Sequence, residues 1–327
     1  MKSQQAASAT RMWKPAGCVS WFLCLVVGLL WPALSVWSQE NTGGPRPVQD
    51  QSSGIHLSSR LVALQVTVTD VYGRFIRGLK EHHFSVYDNR VQQDLVFFSN
   101  DDAPISLGIV YDTSGSMKGI IRDSLKALNR FMETSHPDDD FFLIGFNSRP
   151  ELLEDFTRQA DRILNSLILV EPQGRTALYD AVYLGLEKVS QGTHPKRALL
   201  ILSDGQDNNS AYTYKHLRQR VKESEILIYA IGITDPWDDV SLQVHGFEAL
   251  GEITRMSGGR VFYPKSGLEL SNVCAHIASE LRRQYHLGYY PQNFNCDGSW
   301  HKVKVQVHPP KGVPHLKVRV REGYFAN

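Results

Sequence analysis

The sequence predicts an α/β protein, a doubly wound and mostly parallel sheet inserted in a small β-sandwich formed by N- and C-terminal strands. Three observations predict it. Strand-like and helix-like apolar patterns alternate between residues 104 and 283, as expected of a parallel sheet covered by helices. Continuous apolar runs such as Ala198-Leu199-Leu200-Ile201-Leu202 suit strands buried on both faces. On both sides of this span, apolar and polar residues alternate with a period of two, which marks half-buried strands.

Residues 1–38 differ in kind. Lys2, Arg11 and Lys14 precede an apolar run from Val19 to Trp37, and Val36-Trp37-Ser38-Gln39 offers small or branched residues at the positions a signal peptidase reads. The segment reads as a secretory signal peptide. An uncleaved membrane anchor is the alternative, because the run is about as long as a short span, although Pro32 interrupts it. The expected location is therefore outside the cytoplasm, periplasmic or secreted, or held at the membrane by the N-terminus. Residues 39–58, rich in Gly, Pro, Ser and Gln, read as a linker.

The first part of the sandwich is expected over 59–103. Val62, Leu64, Val66 and Val68 alternate with Ala63, Gln65, Thr67 and Thr69. Val71 to Arg74 reads as a turn. Phe84–Tyr87 and Leu95–Phe98 read as two strands, with Asp88-Asn89-Arg90 turning between them. The second part is expected over 284–327. There Val303, Val305 and Val307, then Leu316, Val318 and Val320, alternate with polar residues around a Pro-Pro-Lys-Gly turn. Two strands alone are rarely stable in water, so this hairpin is expected to pair with the N-terminal strands.

Within 104–283, Ile105–Tyr111 reads as the first central strand. Ile121, Leu125, Leu128 and Met132 then recur at helical spacing. Strands follow at Phe141–Ile144, Ala198–Leu202, Ile226–Ile231 and Arg260–Tyr263. Helices are expected through Leu178, Val182, Leu186 and Val189, near Glu248–Met256, and up to Leu281. This is a Rossmann-like pattern, and such sheets bind ligands beyond the C-terminal ends of their strands.

That edge collects the residues with chemistry. Asp112-Thr113-Ser114-Gly115-Ser116 directly follows the first central strand, and alternate positions let Asp112, Ser114 and Ser116 point one way. A helix start is the bland reading of the same residues. Thr176 lies near the start of another helix, and Asp204 ends the strand Ala198–Leu202. Two carboxylates, two serines and a threonine make a hard-oxygen set that suits Mg²⁺, with Mn²⁺ or Ca²⁺ as alternatives.

Asp112-x-Ser114-x-Ser116, Thr176 and Asp204 resemble the metal-ion-dependent adhesion site (MIDAS) of von Willebrand factor type A (VWA) domains, over about Pro104 to Arg283. The resemblance implies that both serines contact a metal directly. It also implies that the threonine and the aspartates contact it directly or through water, and that a carboxylate of a protein ligand completes the octahedron. Val66-Thr67-Val68-Thr69-Asp70, His83 to Asp88, Leu281 to Pro291 and Val318 to Tyr324 further resemble a VWA-related family common in Acidobacteria, which has this flanking layout and an export signal. Two positions depart from that pattern: His83 stands where an acidic residue is usual, and Arg90 where the turn usually has Gly.

The formal net charge is +1, from 35 basic and 34 acidic residues. This balance gives no electrostatic reason to expect nucleic acid or an anionic membrane as partner. The implied function is binding of a protein with an exposed Asp or Glu. A metal-dependent hydrolase is the alternative, but neither a Gly-x-Ser-x-Gly elbow nor a Ser-x-x-Lys after Ser114 or Ser116 is present. A structural cell-envelope protein with a purely stabilising metal is a third reading.

Other signals have bland readings beside sharper ones. Cys274 and Cys296 pair in a disulfide, or Cys274 is buried on a helical face with Ile277 and Leu281. His82 and His83 lack metal-ligand spacing and are expected at a strand edge. Asp138-Asp139-Asp140 reads as a solvated loop, with a calcium site as the alternative. Asp207 either tunes the metal site from outside or shapes a turn. Tyr289-Tyr290-Pro291 is expected to pack where the two domains join.

Overall fold

Period-two alternation at both ends of the chain closes into two facing antiparallel sheets. The structure, a computed structural model, describes residues 60–233, 240–292, 296–309, 312 and 315–326, and for 240–245 the helical backbone. All belong to the second of two units into which the chain divides, His56–Asn327. The signal and linker readings fall outside the described residues, as does residue 59 at the expected start of the first sandwich segment.

The chain enters through β1 (Val62–Thr69), a 3-10 turn (Glu81–His83), β2 (Phe84–Asp88), β3 (Val91–Gln93) and β4 (Leu95–Ser99). It then runs through β5 (Ile105–Asp112), a 3-10 turn (Gly115–Gly119), α1 (Ile121–Thr134), β6 (Asp140–Phe146), β7 (Pro150–Thr157), α2 (Ala160–Ile168), α3 (Leu178–Val189) and β8 (Lys196–Ser203). After these come α4 (Tyr214–Glu223), β9 (Leu227–Gly232), α5 (Val240–Ser257), β10 (Arg260–Phe262) and α6 (Gly267–Leu281). It returns through β11 (Tyr285–Tyr289), β12 (Trp300–Val307), β13 (Lys317–Arg319) and β14 (Gly323–Phe325).

The central sheet has the order β10-β9-β8-β5-β6-β7. It is parallel except for β7, which runs antiparallel to β6. Every residue of β5 is buried, as the apolar run requires. Its odd positions, Ile105 to Tyr111, pack under α1, α2 and α6; Val110 faces α3, α4 and α5 on the other side. Gly108 leaves room for its neighbours: a Cβ there would lie 2.2 Å from the Phe142 ring and 2.5 Å from Leu199. The chain moves from β5 to β6 on one side and later to β8 on the other. Such a reversal opens a crevice at the C-terminal strand ends.

The sandwich sheets have the orders β13-β1-β11-β4 and β14-β12-β2-β3. Val62, Leu64, Val66 and Val68 of β1 meet Val86, Tyr285, Leu287, Val303 and Val305 in their shared core. On α6, fully buried Glu280 joins this sandwich to the central layer: it accepts a 2.6 Å hydrogen bond from Tyr229 of β9 and pairs with Arg319 of β13.

Several expectations change. β12 and β13 do not pair with each other: β12 lies between β2 and β14, and β13 pairs with β1 in the opposite sheet. Alternation assigns each strand an inward face but not a neighbour, and these two face each other across the core. The Asn89-Arg90 turn joins β2 to β3, not to β4; the chain crosses to the other sheet at Asp94. Tyr289 lies in the sandwich core, where its hydroxyl donates to Asp88 at 3.0 Å. His82 and His83 form the short turn before β2. Asp139 and Asp140 are buried. Asp139 accepts the Ile105 and His136 amides, and Asp140 the Thr193 hydroxyl, so only Asp138 keeps a solvated role, paired with Arg158. Cys274 and Cys296 are both free, the first buried and the second exposed.

Candidate metal centre

Three chain segments meet at the C-terminal edge of the central sheet. β5 ends on Asp112, which has no exposed surface. Its Oδ1 accepts the Ser114 amide at 2.9 Å, and its Oδ2 accepts the Ser203 hydroxyl at 2.7 Å. The first bond bends the chain after β5, so that Ser114 and Ser116 face the same space. Their hydroxyl oxygens lie 3.0 Å apart, and the Ser116 hydroxyl donates to Asp204 Oδ2 at 2.8 Å. Asp204 Oδ1 accepts the Gln206 amide. Asp112, Ser114, Ser116 and Asp204 thus belong to one hydrogen-bonded set.

Thr176 is brought alongside by its backbone. Its amide donates to Asn208 Oδ1 at 2.9 Å, and its carbonyl accepts the amides of Asn208 and Asn209. Just before it, the Gln173 amide donates to the Thr113 carbonyl, and the Gly174 carbonyl accepts the Gly115 amide. Thr176 is buried at 4% exposure, as are Asp112, Ser114 and Asp204, while Ser116 is half-buried.

Three further residues shape the centre, and a fourth lies beside it. Ser203 closes β8 and holds Asp112; its signal in the sequence is a lone hydroxyl at the end of an apolar run. Asn208 places Thr176. Asp207 accepts the Tyr179 amide and the Ser210 hydroxyl, which serves the start of α3 rather than the centre; burial raises its pKa. Gly205 has φ +83° and packs against Gly246, where a Cβ would meet Gly205 backbone at 2.5 Å. That approach has no local signature in sequence.

Burial, and after it the negative charge of Asp204, pushes Asp112 up to about 6; its bonds from Ser114 and Ser203 oppose the shift. Two buried carboxylates that repel one another favour a neighbouring cation. Among the described residues no three His, Cys, Asp or Glu side chains converge as a metal cluster, so the hydroxyls must complete any ligand set. An all-oxygen set with neutral hydroxyls fits a hard divalent ion.

Residues 107–206, which carry all five of these side chains, match the family model of the von Willebrand factor type A domain. Over that stretch the chain is similar to a VWA domain. No curated protein matches it. Among solved structures, a von Willebrand factor type A protein from Catenulispora acidiphila superposes with a TM-score of 0.49 at 10% identity, over 82% of this chain and 72% of that one. The PilB minor pilin from Streptococcus sanguinis gives 0.45 at 14% identity, over 57% and 63%. Proximal thread matrix protein 1 from the mussel byssus, a structure with a zinc-occupied MIDAS motif, gives 0.44 at 19% identity, over 59% and 49%. The chain spans less than two-thirds of the pilin's length.

Proposed function

We propose that this chain is an exported, divalent-cation-dependent protein-binding module of the adhesion or scaffold type, and that its VWA domain captures a carboxylate of a partner protein. Asp112, Ser114, Ser116, Thr176 and Asp204 would hold the ion as a MIDAS, with Mg²⁺ the best fit and Mn²⁺ or Ca²⁺ as substitutes. Export is inferred from the basic and apolar pattern of residues 1–38. The observation that carries the reading is the hydrogen-bonded set Asp112, Ser114, Ser116 and Asp204 at the strand edge where a doubly wound sheet opens.

The bound ion would supply a Lewis-acidic position for an incoming carboxylate. The chain does the rest. Ser203 fixes the Asp112 carboxylate, and the Gln206 amide fixes that of Asp204. The Ser116 hydroxyl donates to Asp204, and the Ser114 hydroxyl is hydrogen-bonded to that of Ser116, which would keep both on the side of the ion. Neutral hydroxyls leave an ion more positive than an acidic cage would, and this favours an anionic partner group.

Calorimetric titration of Mg²⁺ and Mn²⁺ into metal-stripped protein, beside Asp112→Ala, tests the reading. Saturable binding to the wild type alone is expected, and chelation should release partners captured in metal. Equal binding by the variant, with its melting transition intact, would sink it. Metal-dependent turnover of an ester or phosphoester, abolished by the same substitution, would replace it with a hydrolase.

A further inference from the structure

Far from the metal centre, where the sandwich meets the N-terminal ends of β8 and β9, lies a cleft of about 410 Å³, within the size range of small-molecule sites. Its apolar wall is made by Leu61, Ala63 and Phe97, all exposed on the face of β1 and β4 opposite to the sandwich core into which Leu64 and Leu287 turn. Arg321, only 8% exposed, also lines it. Its Nη1 reaches Glu225 at 3.4 Å, while its Nε and Nη2 have no hydrogen-bond partner. These two nitrogens form one edge of the guanidinium, and that edge matches the two oxygens of a carboxylate. His286 Nε2 and Gln65 Oε1, on the same lining, are likewise buried and unpartnered. Buried polar groups are rarely left unsatisfied, so this concentration beside an apolar wall points to a ligand with both kinds of surface.

We infer that the cleft binds a small carboxylate-headed amphiphile, its head on the free edge of Arg321 and its single apolar chain along Leu61, Ala63 and Phe97. Asp101 and Glu225 on the same lining disfavour a doubly charged phosphate head and leave a monoanion as the better match. Buried Lys196, whose ammonium donates to the Asp101 carbonyl, adds positive charge to the wall. The site is separate from the VWA metal centre and does not depend on the reading of it.

Calorimetry on the full chain tests this with decanoate, 1-decanol and acetate. Decanoate should bind saturably at one site, and decanol and acetate should each bind at least about tenfold more weakly, since each lacks one half of the recognition. Arg321→Lys keeps the charge but loses the fork, and should weaken decanoate by about tenfold while leaving decanol unchanged. If that variant does not fold, Phe97→Glu at the exposed rim should weaken decanoate through repulsion. Decanoate binding no tighter than decanol, or unchanged in whichever of the two variants folds, overturns the proposal.

Discussion

Ser203 donates its hydroxyl to Asp112 at 2.7 Å and so ties the last residue of β8 to the last residue of β5. The same oxygen accepts the Gly205 amide, which makes Ser203 a hinge pin between the carboxylate and the loop that carries Asp204. Ser203→Ala should leave the fold in place at a cost of about 1–3 kcal/mol. It should weaken metal binding about 10–100-fold, as loss of a supporting contact does elsewhere. Calorimetry and chemical denaturation of the variant check both figures.

Metal affinity should depend steeply on acidity. Asp112 in the metal-free protein is pushed up to about 6 by burial and by Asp204, and only its ionised form would serve as a ligand. Below about pH 6, protons compete, and the apparent affinity should fall by up to about tenfold per pH unit. Mg²⁺ titrations at pH 5 and pH 7.5 decide this; equal affinities would mean that Asp112 does not ligate.

His286 should make the fold sensitive to acid. Burial, then the nearby charge of Lys196, lowers its pKa to about 4, whereas an unfolded histidine titrates near 6.5. The unfolded chain therefore takes up the proton first. Stability from this group is complete above about pH 6.5 and is lost as the pH falls toward 4, at up to about 1.4 kcal/mol per pH unit. In denaturation, the stability of the wild type relative to His286→Leu should fall as the pH drops through that window and stay constant above it.

The turn between β2 and β3 carries avoidable strain. Asn89 and Arg90 have φ of 46° and 72°, as a two-residue hairpin turn of the primed type requires. Asn tolerates this and forms hydrogen bonds with Lys302, both through its amide and through its side chain. Arg90 bears the steric cost, roughly 1–2 kcal/mol, against about 0.5–1 kcal/mol of extra chain entropy for Gly. Arg90→Gly should raise the unfolding free energy by up to about 1 kcal/mol. A decrease would show that Arg90 earns its place by other contacts.

The two thiols of the described chain should react at very different rates. Cys296 is exposed, while Cys274 is buried and pushed up to about 12 by burial. Alkylation of folded, unreduced protein followed by peptide mapping should label Cys296 quickly and Cys274 only after unfolding. Failure to label both in denaturant would indicate a disulfide.

Much of this architecture is legible in the sequence because burial leaves periodic marks. The runs Ile105–Tyr111 and Ala198–Leu202 are apolar at nearly every position because both faces are covered, and residues 62–69 alternate because one face is not. Elements on the rim leave weaker marks. β7 is an edge strand with little burial, and α2 and α4 are short and bury two residues each; none of these stood out. Partner choice among β11 to β14 was not legible, since pairing depends on hydrogen bonds that side-chain alternation does not encode. At the candidate centre, Asp112, Ser114 and Ser116 are spaced so that their convergence can be read directly. Ser203, Asn208 and the Gly205–Gly246 approach act from segments remote in sequence and become visible only once the sheet is assembled.

The pairing of Val62 in β1 with Tyr289 in β11 also sets an order of events during synthesis. β1 to β4 emerge first, yet neither sandwich sheet can be completed until strands beyond residue 284 exist. At about 5–20 residues per second, the valine face of β1 waits for roughly ten to forty seconds, while the VWA layer between them has all its strands and can fold. Its closure brings the end of α6 toward β1 and replaces a long, entropically costly loop with a short one. Substitutions that slow folding of the inserted layer should therefore appear first as aggregation through the unpaired N-terminal strands.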